Sequence, residues 1–152
     1  MDYKTSALSP VVSGLTRAVA IDFHFSLGYL FWSDVTELNI KRFNVEAAST
    51  TTIITSIGVC DGLAVDWRAS QLYWTDTTYD TISVSDLDGN NQGLLISSGL
   101  EEPRAIALDL DNRYIITDCN CSNTMLFLKE RNSLSSLNAS LGFLLVFRGF
   151  RG

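Results

Sequence analysis

The chain has 152 residues, 46% hydrophobic and 18% charged, which suits one domain with a sizeable core and excludes a disordered or collagen-like composition. Seventeen acidic against eleven basic residues leave a net charge of −6, so nucleic-acid binding, which needs a basic face, is excluded and a protein partner is expected. Eight Phe, five Tyr and three Trp with only two Pro fit pleated, half-buried surfaces, and the fold class predicted is all-β.

Residues 1–10 form a leader without an apolar run to act as a secretion signal, and the longest apolar run, Phe143 to Phe147, is far too short to span a bilayer. No transmembrane helix is expected. The first recognisable element is Arg17-Ala18-Val19-Ala20-Ile21-Asp22, followed by Phe31-Trp32-Ser33-Asp34. The same pair returns as Asp61-Gly62-Leu63-Ala64-Val65-Asp66 with Tyr73-Trp74-Thr75-Asp76, and again as Arg104-Ala105-Ile106-Ala107-Leu108-Asp109 with Ile115-Ile116-Thr117-Asp118. The tetrapeptides stand 42 residues apart each time, and two linked motifs in phase define a repeat.

The middle repeat predicts four strands, at 63–67, 71–76, 81–86 and 93–97, each short and rich in β-branched or aromatic residues. Turns fall at 68–70, at 77–80 and at Asp88-Gly89-Asn90-Asn91, whose Asp-Gly step supplies the positive φ of a tight hairpin. Four strands in about 42 residues are the signature of a propeller blade. The repeats lie near 18–57, 62–97 and 104–118, so the chain carries two to three four-stranded antiparallel blades without ring closure. Such an arrangement leaves strand edges and a blade face unpaired, and the isolated chain is expected to aggregate.

Strand alternation sends Leu72, Trp74 and Asp76 to one face and Tyr73 and Thr75 to the other, so the aromatics fill the layers between blades. The tetrapeptide residues Phe31, Trp32, Ser33, Asp34, Tyr73, Trp74, Thr75, Asp76, Thr117 and Asp118 are therefore read as structural, and Arg104 is the predicted partner of Asp76. Cys119 and Cys121, one residue apart, would need a strained ring to pair, so these two and Cys60 are read as ordinary thiols. With no Cys-x-x-Cys pair and the single His24 in a turn, neither a metal site nor a Cys/His nucleophile is expected. From Cys119 to Gly152 no blade motif recurs, and this segment is read as a divergent tail foreign to the propeller. Asn120-Cys121-Ser122 and Asn138-Ala139-Ser140 satisfy the N-glycosylation rule.

Gly62 to Trp67, Leu72 to Asp76, Asp86-Leu87-Asp88-Gly89 and Glu102 to Asp109, in this order, resemble the YWTD (class B) repeats of the low-density lipoprotein receptor family. Ala20-Ile21-Asp22-Phe23 with Phe31 to Val35 and Ile40-Lys41-Arg42 is similar to the opening blades of the Wnt co-receptor and agrin-receptor branch. The resemblance covers about residues 11 to 118. It implies part of a six-bladed propeller in the extracellular portion of a membrane-anchored receptor, binding protein ligands on one rim, with no cofactor and no catalysis. By matching positions the ligand-binding rim comprises Thr16, Arg17, Val35, Thr36, Asp61, Thr78 and Arg104. Arg17, Cys60 and Thr78 depart from the family pattern, and the third repeat has Ile115-Ile116 where an aromatic pair stands. The competing readings are a calcium-dependent lactonase or esterase on a six-bladed propeller, and a truncated product with no function of its own.

Overall fold

Runs of alternating side chains punctuated by four-residue turns divide the chain into short antiparallel strands. The computed structural model describes residues 10–111 and 113–119, and the backbone of 126–129. The first sheet holds β1 (Ala18–His24), β2 (Tyr29–Asp34), β3 (Asn39–Asn44) and β4 (Ser49–Thr55) in sequence order. The second holds β5 (Leu63–Asp66), β6 (Gln71–Asp76), β7 (Thr81–Asp86) and β8 (Gly93–Ile96) in the same order. The third comprises β9 (Ile106–Asp109), β10 (Tyr114–Thr117) and β11 (Leu126–Lys129). All pairings are antiparallel. The leading strands β1, β5 and β9 lie against one another, so the sheets pack face to face as successive propeller blades.

The middle blade follows its sequence closely, with β6 and β7 at the predicted limits and β5 and β8 each one residue shorter at the C-terminal end. Gly89 takes the left-handed conformation, φ 80°, that the Asp88-Gly89 step was expected to supply. The sheet of the third blade continues past residue 118, with β11 pairing β10 from Tyr114↔Lys129 to Thr117↔Leu126. A blade strand thus lies inside the segment read from sequence as divergent. The signal is weak there because four residues carry too little pattern to be told from a loop.

Two seams hold the core. Between the first and second blades Phe31, Ile40 and Ile54 meet Leu63, Val65, Leu72 and Trp74. Between the second and third, Tyr73, Ile82 and Val84 meet Leu100, Ile115 and the partly buried Ile106 and Leu108. Leu72 and Trp74 therefore face back and Tyr73 forward, as the alternation requires. Phe31, Ile40, Leu72 and Ile82 are fully buried, each contributing about 1.5–3 kcal/mol as an upper estimate. The opposite face of the first blade is open, and Ile21 on it is 66% exposed.

The three blades differ in register. In the first two the motif aspartate stands five residues beyond the opening residue of its strand (Tyr29 to Asp34, Gln71 to Asp76), but in the third only four (Tyr114 to Asp118). Ile115 consequently pairs with Leu108 and packs back against the second blade, whereas Tyr73, its counterpart in the motif, packs forward. One missing residue has inverted the strand's faces. In β1 two additional residues separate Asp22 from the hairpin, so His24 occupies the place of Asp66 opposite the first residue of the next strand. His24 is accordingly not in a turn but at the end of β1, 2% exposed. Its Nδ1 lies 3.4 Å from both the Ser26 hydroxyl and the Leu27 N–H.

Candidate functional site

The seven rim candidates depend on where the motif carboxylates aim. Each motif aspartate ends or follows the second strand of its blade, where the chain turns and leaves amide groups without ladder partners. Asp34 Oδ1 accepts N–H bonds from Thr36 (3.0 Å) and Glu37 (3.1 Å), and its Oδ2 accepts one from Arg17 (3.3 Å). Asp76 repeats this with Thr78 (3.0 Å), Tyr79 (3.1 Å) and Gly58 (2.7 Å). Asp118 accepts from Ala105 N–H. Burial raises the Asp34 pKa, but the amides of Glu37, Arg17, Thr36 and Thr16 outweigh it and hold the carboxyl below its ordinary value.

Arg104 is not the partner of Asp76. Its guanidinium lies 3.7 Å from Asp61 and 3.4 Å from Glu102. Asp76 is already enclosed by three backbone donors that sequence letters do not display, whereas Arg104 projects to the surface with 61% of its side chain exposed. What joins these places is the hydroxyl of the motif's third residue. Thr75 Oγ1 donates to the carbonyl of Arg104 (2.7 Å), and Ser33 Oγ donates to that of Cys60 (2.8 Å), in each case crossing to the lead-in segment of the next blade. Thr117 donates to Ala105 O (2.7 Å) within its own blade, as Thr75 also reaches Gly62 O (3.4 Å) in its own.

All seven candidates lie at one end of the blades, where each first strand begins and each second strand ends. Thr16 donates to Glu37 (3.0 Å), which also receives Asn39 Nδ2 (3.0 Å) and Lys41 Nζ (2.7 Å). Lys41 first, then Asn39 and Thr16, keep the Glu37 carboxyl below its usual range. Val35 N–H donates to Arg17 O (3.1 Å), Thr36 caps Asp34, and Thr78 Oγ1 accepts Val59 N–H (2.9 Å). Arg104 and Asp61 face each other across the second seam. Three neighbours escaped the sequence reading: Glu37, Glu102 and the exposed Tyr79. Glu37 and Tyr79 sit three residues after a motif aspartate, and that spacing is the signal that would have found them.

Beneath the rim Cys60 is 1% exposed, its thiol donating toward Gly62 O at 3.4 Å. Burial foremost, with Asp76 and Asp61 adding to it, pushes this thiol up to about 12, although Ser33 and the Gly62 backbone pull it down. Cys119 is disulfide-bonded rather than the ordinary thiol expected, and Cys121 lies outside the described residues. The glycosylation candidates Asn120 and Asn138 lie outside the described residues. No described helix is long and apolar enough to cross a membrane.

The pattern of the low-density lipoprotein receptor repeat class B family matches residues 70–110. That window opens at the turn before β6 and closes just after β9, so the unit of sequence starts in one blade and ends in the next. The low-density lipoprotein receptor-related protein 5 of Mus musculus is 42% identical over 108 residues, and that of Homo sapiens 43%. Each match covers 69% of this chain and 7% of the relative, so the chain spans a small part of these receptors. Among solved structures, a chain of a nidogen/laminin complex superposes with a TM-score of 0.67 at 26% identity, over 73% of this chain and 43% of that one. Hydrazine synthase of Kuenenia stuttgartiensis shares the fold alone, with a TM-score of 0.65 at 17% identity over 85% of this chain and 36% of its own.

Proposed function

Because the chain is built of class B repeats of the low-density lipoprotein receptor kind, in the branch of receptor-related protein 5, we propose that it is an extracellular protein-binding module of a Wnt co-receptor-like receptor. The observation that carries this reading is the gathering of Thr16, Arg17, Val35, Thr36, Asp61, Thr78 and Arg104 at one end of the blades, where the backbones of Arg17, Thr36 and Thr78 are held by the buried carboxylates of Asp34 and Asp76. Such a surface is preorganised, so a ligand segment meets it without a large ordering cost. Its chemistry is mixed: the exposed Tyr79 offers an apolar anchor, and Glu37, Asp61 and Glu102 stand among the basic Arg17, Lys41 and Arg104. Extended peptide segments carrying an apolar residue beside a polar or basic one fit that pattern.

Selection of a random peptide library on the immobilised chain tests the proposal. Enriched peptides are expected to compete with one another and to lose at least tenfold in affinity against Asp61→Arg or Tyr79→Ala. Enriched peptides insensitive to both substitutions would place binding elsewhere and defeat the assignment.

A further inference from the structure

The leading strand of every blade carries the same short step. Ala20-Ile21-Asp22, Ala64-Val65-Asp66 and Ala107-Leu108-Asp109 stand at equivalent places on β1, β5 and β9, each preceded by a branched residue, Val19, Leu63 or Ile106. Alternation along a strand turns the alanine toward the next blade and its branched neighbours toward the previous one. The seams are filled accordingly. In the first, Ala20 is buried with Leu63 and Val65. In the second, Ala64 is buried, and Ile106 and Leu108 pack in the cluster around Tyr73, which stands opposite Ala64 in the sheet.

A seam is therefore directional, an alanine face in front receiving a branched pair from behind. Each end of the array carries one unmatched half. Val19 and Ile21, in the places of Leu63 and Val65, are 46% and 66% exposed, where those two are 6% exposed each. Ala107, in the place of Ala20 and Ala64, is exposed, and Ile116 opposite it in the sheet is half-buried. The two halves complement each other. Copies meeting branched pair to branched pair would still leave both alanine faces open.

The number of sheets decides how the halves meet. The three described sheets fall short of the roughly four to eight that close a propeller, so the front of the third blade cannot reach the back of the first within them. Two copies supply six sheets, inside that range, and three copies supply nine, outside it. We propose that two copies of this chain associate head to tail, the Ala107 face of each covering Val19 and Ile21 of the other, to close a six-bladed ring. The contact is heterologous, and a two-fold rotation closes it with two equal seams. Because the leading strands continue in one sense around the ring, the rims of both copies come to the same end. The pairing does not rest on what that rim binds.

Sedimentation velocity on the full 152-residue chain over a range of concentrations tests the proposal. The unaltered chain is expected as a dimer with no larger species. Ile21→Arg and Ala107→Glu, both at exposed positions that their own blade does not need filled, are each expected to weaken dimerisation at least tenfold. Mixed in equal amounts, the two variants are expected to recover the dimer. One seam of the mixed pair is native, and the other sets the new arginine against the new glutamate. A monomeric unaltered chain overturns the proposal, as does growth into larger species with concentration. Retention of the dimer by either variant, or a mixture that stays monomeric, overturns it equally.

Discussion

Replacing Thr75 separates the hydrogen bond between blades from the packing around it. The side chain is fully buried, and its hydroxyl reaches Arg104 O at 2.7 Å. Thr75→Val keeps shape and β-propensity but leaves a buried carbonyl without this donor, a loss of about 1–3 kcal/mol. Thr75→Ser keeps the donor and removes one methyl, about 1 kcal/mol including the small void. The first blade already uses Ser33 for the same task, bonding Cys60 O at 2.8 Å, so a serine hydroxyl reaches far enough. We therefore expect Thr75→Val to cost about 2 kcal/mol and Thr75→Ser about half of that. For a unit of this size the corresponding falls in Tm are roughly 8–16 °C and 4–8 °C. Urea unfolding followed by tryptophan fluorescence measures both, with a common m-value confirming that the same transition is compared. If the serine variant proves as unstable as the valine variant, the methyl and not the hydroxyl holds the blades, and the reasoning fails.

Gly62→Ala should be among the most damaging single changes, because its Cβ would meet the Arg104 carbonyl oxygen and lie 2.8 Å from Thr75 Oγ1 and 3.0 Å from Ile106 N. Backbone of the next blade cannot yield, and a loss of about 2–3 kcal/mol in urea unfolding is expected. Cys60 should resist iodoacetamide at pH 8 in the native state and react readily in urea, as mass spectrometry would report. Its folded pKa is raised from 9.0 to about 12, so stability from the neutral buried thiol is complete below pH 9 and declines as pH climbs toward 12. Asp34 works in the other direction: its folded pKa is lowered from 3.8, so its contribution is complete above the unfolded value and is lost as pH falls through the folded one. Asp34→Asn should accordingly be less stable at pH 7 yet lose less between pH 5 and pH 3, and an unchanged acid slope in urea titrations would count against the role assigned to its amide cage.

The number of blades, their strand order and the burial of Tyr73, Trp74 and Phe31 were legible because propeller seams impose alternation and a fixed period on side chains. The three amides around Asp76 were not, since backbone donors have no letter, and a cation such as Arg104 is the partner that letters suggest. The inversion of β10 was written in the chain as a spacing of four instead of five before Asp118, but identical Thr-Asp letters drew attention away from it.

The different strand spacings point to a parity rule for descent in this fold. Two residues gained in β1 displaced Asp22 from the hairpin without exchanging inward for outward, and the carboxylate was free to take the Val65 N–H of the next blade at 2.7 Å. From Asp109 to Asp118 the third blade has one residue fewer than the second has from Asp66 to Asp76, and Ile115 stands opposite Leu108 where Tyr73 stands opposite Ala64. An even difference in strand length thus keeps inward and outward positions, and an odd one exchanges them unless a β-bulge absorbs it, as between Ala18 and Ile21. An alignment that counts gaps by length alone would rank the two events the wrong way round, treating the larger, harmless one as the greater change.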